Sequence, residues 1–261
     1  MTMIHPTAIV DSKAEIAETA KIGPYCIVGP NVVLGGGVEL ISHVHVTGHT
    51  TIGENSKVYP FAVLGGGAQH IKYMETDARL VIGSNNIIRE HVTMHTGTPI
   101  EEMITKIGDN CFFMVGAHVA HDCVVGNNVI MTNNSALGGH VRVGDFAIMG
   151  GMSAAHQFCR IGKHAMVGGM TGVEQDVIPY GMVIGDRARL SGLNIVGLKR
   201  RGFSRNDIKS LRQAYRMLFA KEGTLAERLE DVSQLFKDNN AVMDIIEFMQ
   251  VDSNRPVCQP E

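Results

Sequence analysis

Apolar residues recur at every sixth position through the first two thirds of the chain. The first unbroken run is Ile4, Val10, Ile16, Ile22, Val28, Leu34, Leu40, Val46, Ile52, Val58 and Leu64. The register resumes from Ile82 to Met94 and again from Ile107 to Val173. A period of six matches neither an α-helix nor an alternating β-strand. It is typical of a parallel β-helix, in which a short strand and a turn repeat around a triangular prism and each side points one apolar residue inward.

Three hexads make one coil of the prism. Residues 18 apart therefore lie above one another, at the strand spacing of about 4.8 Å. Glycine often follows the inward residue, as at Ile22-Gly23 and Ile52-Gly53, and we expect it to supply the backbone freedom of a tight corner. The register breaks at 65–81 and at about 97–106, and we expect both segments to leave the prism as loops.

The pattern becomes helical beyond about residue 191. Ser204 with Asp207, and Thr224 with Glu227, have the spacing of helix N-terminal caps. A third short helix is predicted near 241–249, and the proline-containing tail from Val251 is expected to be loose. The sequence thus predicts a mainly β chain in two parts, a β-helix over 1–190 and a small α-helical domain over 191–261.

Composition narrows the class of protein. Hydrophobic residues make up 44% and charged residues 19% of 261 residues, with a net charge of −3, so we expect a folded core and no general affinity for nucleic acid. No apolar run is long enough to span a membrane, and the N-terminus does not have the pattern of a secretory signal. Five scattered cysteines without a C-x-x-C motif favour a reduced, cytoplasmic protein.

The 18-residue coil also brings polar residues together. It places His121 beneath Gly139, and Gly139 beneath Gln157. Three further histidines neighbour this column, namely His118, His140 and His156. The result is a dense imidazole cluster beside a backbone amide that glycine leaves exposed.

These groups suit acyl transfer to a hydroxyl. A neutral histidine such as His121 can act as a general base, and Asp122 can orient it. An amide such as that of Gly139 can receive a developing oxyanion. Two alternatives remain open at this point. The histidines can be a structural polar ladder of a β-helix without chemistry, or a pair such as His118/His121, His91/His95 or His140/His156 can bind metal, although no spacing matches a zinc signature.

A basic stretch covers Lys199–Lys221. It contains Lys199, Arg200, Arg201, Arg205, Lys209, Arg212, Arg216 and Lys221, with Asp207 as its one acidic residue. Such a run is either a solvated helix face or a landing site for an acidic partner or phosphates. No base-reading motif accompanies it, which argues against nucleic acid.

Several strings resemble a known family. They are IHPTAIV at 4–10, TGHT at 47–50, AHVAHDC at 117–123, GGHV at 138–141, AIMGGMSAAHQF at 147–158 and LNIVGLKRRGFSR at 193–205. Nearly the whole chain resembles the hexapeptide-repeat acyltransferases, and among them the UDP-N-acetylglucosamine O-acyltransferases. The resemblance implies a left-handed coil and a homotrimer with active sites between neighbouring prisms. It further implies a cofactor-free and metal-free enzyme that moves a 3-hydroxyacyl chain from acyl carrier protein to the 3-position of UDP-N-acetylglucosamine, the first step of lipid A synthesis.

The resemblance also implies roles for individual residues. His121 matches the general base, Asp122 its partner and the Gly139 amide the oxyanion donor. Positions for the nucleotide sugar or the acyl donor are matched by Gln69, His70, Lys72, His95, His118, His140, His156, Gln157, Asn194, Arg200 and Arg201. Gly169, Met170 and Arg187 match the groove for the acyl chain. The acidic carrier protein agrees with the basic stretch 199–221.

Two positions depart from the family pattern. His70 stands where the family has aspartate, and Val196 stands where it commonly has glutamate. Both changes remove a carboxylate from the nucleotide-sugar region, so the acceptor is either the ordinary sugar or its 3-amino analogue, which some members prefer. Gly169 replaces a bulky side chain that blocks long chains in other members, which predicts that acyl groups beyond ten carbons are accepted. An acetyl-CoA-dependent hexapeptide acetyltransferase is a further alternative.

Overall fold

The chain forms a left-handed parallel β-helix followed by short helices, as predicted. The computed structural model describes residues 3–71, 76–100, 102–251, 253 and 255–260. Short strands stack into three faces of 11, 9 and 8 strands, which we call faces A, B and C. Within a face the register is the predicted 18 residues, with Ile4 paired to Ile22 and Ile22 to Leu40.

The three faces alternate along the chain. Face A consists of Met3–Ile4, Lys21–Ile22, Glu39–Leu40, Lys57–Val58, Ile87–Ile88, Phe112–Phe113, Ile130–Met131, Ile148–Met149, Met166–Val167, Gly181–Ile184 and Arg189–Leu193. Face B consists of Ile9–Val10, Ile27–Val28, His45–Val46, Val63–Gly66, Thr93–His95, His118–Val119, Ala136–Leu137, Ala154–Ala155 and Gly172–Val173. Face C consists of Glu15–Ile16, Val32–Leu34, His49–Ile52, Arg79–Ile82, Ile104–Ile107, Val124–Val125, Arg142–Val143 and Arg160–Ile161. The last two strands of face A pair antiparallel and end the prism.

The inward residue of each hexad fills a narrow core. Leu34, Val58, Phe113 and Met131 are all fully buried. Burial of one apolar side chain per strand, repeated coil after coil, supplies the hydrophobic stabilisation of the prism.

Glycine after the inward residue serves packing rather than corner geometry, which corrects our expectation. A side chain at Gly23 would collide with the backbone of Ile41 in the next coil. The left-handed corner positions are instead held largely by other residues, such as Asn128 with φ of 56° and His164 with φ of 57°. Asparagine tolerates this conformation best among them.

Two insertions leave the prism where face B turns toward face C. The first lies between Val63–Gly66 and Arg79–Ile82, and the second between Thr93–His95 and Ile104–Ile107. Lys72, one of the predicted binding residues, lies outside the described residues.

Within the described residues, four helices follow the prism. They are α1 (Ile195–Arg200), α2 (Arg205–Leu218), α3 (Leu225–Leu235) and α4 (Asn240–Gln250). Both predicted capping boxes are present, at Ser204 and at Thr224. The sequence did not predict α1, which Asn194 caps by accepting a hydrogen bond from the Gly197 N–H. None of the helices in the described ranges has the length and apolar character needed to cross a membrane.

The prediction of a loose tail was wrong. The Asp176 N–H donates to the Pro256 carbonyl, and the Cys258 N–H donates to the Asp176 carbonyl, both at 2.8 Å. Cys258 is fully buried. The tail returns to the prism because it completes the backbone hydrogen bonds of the segment at Asp176 and Val177, which stacks on the last strand of face C.

Candidate functional site

The predicted catalytic residues meet on one edge of the prism, where face B turns to face C. We call it the B–C edge and define it by His121, Asp122, Gly139, His140 and Phe158. His121 Nδ1 lies 2.8 Å from Asp122 Oδ2. Both side chains are buried, with His121 8% exposed. The pair therefore forms a dyad whose outer histidine edge is within reach of a substrate.

Asp122 is held from several directions. Its Oδ1 accepts from the Thr98 N–H at 2.8 Å, and its Oδ2 accepts from the Thr98 hydroxyl at 2.6 Å. Its own N–H donates to Thr105 Oγ1 at 2.8 Å. Burial alone would raise the pKa of this carboxyl, but the hydrogen bonds from His121 and Thr98 outweigh it and the pKa is lowered. Asp122 is thus ionised at neutral pH.

An ionised Asp122 decides which nitrogen of His121 carries the proton. A carboxylate only accepts, so Nδ1 must donate to it. In the neutral ring, Nε2 then has the lone pair. This is the arrangement that a general base requires.

Gly139 packs flat against the His121 ring. A Cβ at this position would lie 2.5 Å from His121 Cε1 and 2.7 Å from Nε2. Glycine is therefore required for the ring to occupy its place. In the described part of the chain, no acceptor is hydrogen-bonded to the Gly139 N–H, which leaves this amide available to a substrate oxygen.

Further imidazoles surround the dyad. The rings of His140 and His70 lie 5.1 Å and 5.9 Å from that of His121. The rings of His95 and His118 lie 5.2 Å apart, and His118 Nδ1 lies 2.8 Å from Thr93 Oγ1. Four predicted binding residues are thus gathered around or just below the dyad.

Burial keeps two of these rings neutral. It lowers the pKa of His95 to about 4, with smaller contributions from His118 and His121, and it also lowers the pKa of His118. Neutral imidazoles offer one donor and one acceptor each. The buried Nδ1 of His95 has no partner among the described residues.

The same dyad belongs to a group with metal-ligand spacing. Atoms of His121, Asp122 and His140 lie within 4.8 Å of one another. This trio differs from the three pairs considered from the sequence. Asp122 Oδ2 already accepts from His121 and Thr98, so a bound ion would have to displace hydrogen bonds that hold the dyad.

His156 and Gln157 lie on the next coil and are exposed. His156 Nδ1 lies 2.7 Å from a guanidinium nitrogen of Arg255, a residue from the tail. This contact could not be predicted from the hexad register, because Arg255 lies on the tail, far from His156 along the chain.

The remaining predicted residues lie elsewhere on the protomer. Asn194 donates to the His164 carbonyl at 3.0 Å, and Arg201 donates to the Phe146 carbonyl at 2.8 Å. Both contacts lie where face C turns to face A, which we call the C–A edge and define by Phe146, His164 and Tyr180. Arg200 is exposed.

Two of the predicted acyl-groove residues lie where face A turns to face B, and the third, Arg187, lies between the last two strands of face A. Gly169 and Met170 are exposed there. A Cβ at Gly169 would meet only the Gly151 backbone, at the ordinary distance of 3.4 Å. Arg187 is paired with Glu174 at 2.7 Å. Gln69 is exposed in the first insertion.

Helix α2 borders a groove of about 660 Å³. Its cationic lining residues are Lys199, Arg205, Lys209, Arg212 and Arg216, and its apolar ones include Leu193, Ile195, Ile208 and Tyr215. Five of the eight basic residues of the predicted stretch therefore line a concave surface together with apolar side chains, a feature that charge counting does not reveal.

Sequence reasoning missed Thr98 and Thr105. Thr98 lies 24 residues before Asp122 rather than 18, because the second insertion breaks the register between them. The signal in the sequence was the break of the register at this insertion, because the inserted segment leaves the prism on the edge that carries His121.

Comparisons with known proteins agree on the family and the fold of this chain. The family described as UDP N-acetylglucosamine O-acyltransferase, domain 2, matches residues 176–258, and the bacterial transferase hexapeptide repeat matches residues 104–139. A relative from Caulobacter vibrioides is 54% identical over 99% of this chain and 98% of its own. One from Thermodesulfovibrio yellowstonii is 47% identical over 99% of this chain and 100% of its own. Both are named acyl-(acyl-carrier-protein)–UDP-N-acetylglucosamine O-acyltransferase.

Solved structures give the same result. The crystal structure of UDP-N-acetylglucosamine O-acyltransferase (LpxA) from Moraxella catarrhalis has a TM-score of 0.95 and 41% identity, covering 98% of this chain and 99% of that one. The Campylobacter jejuni UDP-N-acetylglucosamine acyltransferase has a TM-score of 0.92 and 33% identity, covering 99% of this chain and 100% of that one.

Proposed function

We propose that this chain, which belongs to the UDP-N-acetylglucosamine O-acyltransferases, uses His121 as the general base that transfers a 3-hydroxyacyl group to the sugar 3-hydroxyl. Its curated relatives carry the name of that enzyme, whose reaction opens lipid A synthesis and draws its acyl group from acyl carrier protein. The observation that carries the proposal is the His121–Asp122 dyad packed beneath Gly139. We expect the reaction to take place in the cytoplasm.

In the first step the sugar oxygen attacks the thioester carbonyl. His121 Nε2 takes the hydroxyl proton as the new C–O bond forms, and the imidazolium that results is stabilised by the Asp122 carboxylate. The negative charge moves to the carbonyl oxygen. The Gly139 N–H, which has no other acceptor among the described residues, donates to that oxygen.

In the second step the tetrahedral intermediate collapses. The C–S bond breaks as the carbonyl re-forms, and the leaving sulfur receives the proton from His121 Nε2. The products are the ester and the free thiol of the carrier protein. The base is returned to its starting state, so no cofactor or metal is consumed.

The full site is proposed to need a second copy of the chain. Asn194, Arg200 and Arg201 lie near the C–A edge, whereas His121 lies on the B–C edge of the same protomer. A homotrimer that sets one edge against the other would bring both sets to one substrate. We propose that exposed Arg200 meets the phosphates, since Arg201 is occupied with the Phe146 carbonyl.

The basic groove beside α2 is proposed to receive the carrier protein. Five cationic side chains face the groove, while the chain as a whole has a net charge of −3. Such a local field favours an acidic partner and speeds its encounter with the protein.

Two finer features concern specificity. The space at Gly169 supports acyl chains beyond ten carbons. The His70 ring lies 5.9 Å from that of His121, and Val196 is 62% exposed. These two positions lack the carboxylates of the family pattern. The 3-amino sugar is therefore an alternative acceptor, and its product would be an amide.

One assay tests these points. Purified protein is offered 3-hydroxyacyl carrier proteins of several chain lengths with UDP-N-acetylglucosamine or its 3-amino analogue, and acetyl-CoA replaces the donor in a third arm. We expect an ester on the ordinary sugar with donors beyond ten carbons. A product only with the amino sugar would mean that the enzyme forms an amide instead of an ester. A product only with acetyl-CoA would refute the proposed donor.

A further inference from the structure

The tail of the chain returns to the edge that carries the dyad and places an arginine against a histidine there. We propose that Arg255 is a positioning residue that fixes His156 as the neutral tautomer with its proton on Nε2, so that His156 donates a hydrogen bond to the substrate. The inference rests on the proposed function, in which His156 belongs to the substrate cleft.

Asp176 is the anchor that holds the tail. It is fully buried, and its Oδ2 accepts from Arg160 Nε and from the Ser253 hydroxyl, each at 2.7 Å. Its backbone is bonded to Pro256 and Cys258 on the tail. A buried carboxylate with this many donors fixes the chain that supplies them.

Arg255 lies between these attachment points. Its N–H donates to the Ser253 hydroxyl at 3.2 Å, and the Pro256 carbonyl next to it accepts from Asp176. The backbone of Arg255 is thus bonded on both sides. Its guanidinium reaches His156, 99 positions earlier in the sequence, at 2.7 Å.

The chemistry of the two side chains determines the tautomer. A guanidinium has five N–H donors and no acceptor, so His156 Nδ1 must present a lone pair to it. The Gln157 carbonyl lies 3.2 Å from the same nitrogen and would require a proton there. Nδ1 cannot both accept from Arg255 and donate to the Gln157 carbonyl. The contact with Arg255 is shorter and charge-assisted, so it is the one that forms. The proton therefore resides on Nε2.

The position of His156 allows this tautomer to donate a hydrogen bond to the substrate. The ring is exposed, and among the described residues no partner is bonded to its Nε2. Gln157, the neighbour of His156, lies above Gly139, since the Phe158 N–H donates to the Gly139 carbonyl at 3.0 Å. A substrate held at the Gly139 amide therefore lies one coil from an N–H donor. Substrate oxygens, on a phosphate or a sugar, are the matching acceptors.

The test uses full-length Arg255→Met, which removes the donors and keeps much of the side-chain volume. Gln259→Ala is the matched control, since it lies on the same tail and its side chain, among the described residues, is bonded only to the nearby Val257 carbonyl. We expect KM for UDP-N-acetylglucosamine to rise about tenfold in Arg255→Met with kcat changed less, as for the loss of one charge-assisted hydrogen bond. Arg255→Lys, which keeps a cationic donor, should recover part of the loss.

A double-mutant cycle separates positioning from a direct role. In His156→Ala the further change Arg255→Met should have little effect, because Arg255 acts through His156. If the two losses add fully, Arg255 acts on the substrate or the fold and the proposal is overturned. An unchanged KM in Arg255→Met would overturn it as well.

A spectroscopic measurement keeps the inference independent of activity. Nitrogen-15 NMR of histidine-labelled protein reports whether His156 Nδ1 carries a proton. The wild type should show an unprotonated Nδ1 that changes in Arg255→Met and not in Gln259→Ala. A proton on Nδ1 in the wild type would refute the inference even if the enzyme is active. Absence of acyl transfer with the expected NMR signature would refute the proposed function instead.

Discussion

The B–C edge and the C–A edge are built from the same repeat and do different things. Each carries a column of rings at left-handed corner positions. On the B–C edge His140 stacks on Phe158 with ring centres 4.4 Å apart. On the C–A edge His164 stacks between Phe146 at 4.8 Å and Tyr180 at 5.4 Å. His121 lies beside its column rather than in it, since the neighbouring Asp122 holds the left-handed position with φ of 58°. Stacking in such a column is therefore not what sets His121 apart.

His121 on the B–C edge and His164 on the C–A edge differ in their surroundings. His121 is bonded to an adjacent carboxylate that Thr98 holds in place. Burial lowers the pKa of His164 to about 4, and its Nδ1 has no partner among the described residues. Phe203 from the helical region packs edge-on against His164. The B–C edge has a carboxylate, a glycine and an insertion beside His121, whereas aromatic rings cover His164 on the C–A edge. His121 is therefore suited to proton transfer and His164 to packing.

After removal of the His121 imidazole itself, the largest effect should come from filling the space above its ring. In Gly139→Ala the new Cβ would lie 2.5 Å from His121 Cε1, so the ring must move. A displacement of this kind at the reacting centre costs about a hundredfold in kcat/KM. Gly66→Ala is the control, because nothing lies within 4 Å of its Cβ position. Equal rates for the two variants would contradict the packed arrangement of Gly139 and His121.

Asp122→Asn should have the next largest effect. Asparagine tolerates the left-handed backbone of this position, where φ is 58°, so the fold should be kept. Loss of the carboxylate removes one charge-assisted hydrogen bond to His121, which lowers kcat by about tenfold or more. Asp145→Asn tests the same change beside the C–A edge, where the aspartate accepts from the Asn127 N–H. Comparable losses of kcat in the two variants would argue against a special role for Asp122.

A smaller effect concerns the stability of the C–A edge in acid. The folded state holds the pKa of His164 at about 4, below its ordinary value of 6.5. The unfolded chain therefore binds the proton first, and this group makes the protein lose stability as the pH falls from about 6.5 to about 4. His164→Phe removes the titrating group and should reduce that loss by on the order of 1–2 kcal/mol, discounted for partial exposure. Urea unfolding at several pH values measures it, and an unchanged pH dependence would refute the assignment.

The smallest effect is expected at the contact between the prism and α4. The Tyr180 hydroxyl donates to Asp244, which also pairs with Lys163 at 2.6 Å. Tyr180→Phe should lower the free energy of unfolding by about 1 kcal/mol and leave acyl transfer intact. Tyr25→Phe, at a residue 58% exposed, should change stability little. A loss of acyl transfer in Tyr180→Phe would show that the hydroxyl also supports the proposed substrate-binding residues of the C–A edge, and not stability alone.

The repeat made much of this structure predictable. An unbroken register from Ile4 to Leu64 determines both the coil and the residues that share a face. The same register placed Gly139 next to His121. Capping residues such as Ser204 mark helix starts because their side chains satisfy local backbone groups.

The parts that escaped prediction depend on contacts outside the register. Thr98 reaches Asp122 from an insertion whose path no periodicity encodes. Arg255 contacts His156 because the buried Asp176 holds the tail in place through its hydrogen bond from Ser253. The short helix α1 owes its start to Asn194, whose side chain also bonds to the His164 carbonyl of the prism.

The central claim is that His121 is the base and His164 a packing residue. The most direct measurement is the single-turnover rate of acyl transfer to UDP-N-acetylglucosamine by His121→Ala and by His164→Phe, each checked for an unchanged oligomeric state. We predict that His121→Ala loses about a thousandfold in rate, the scale of general-base catalysis, while His164→Phe stays near the wild-type rate. A His121→Ala variant that transfers the acyl group at the wild-type rate would contradict the account.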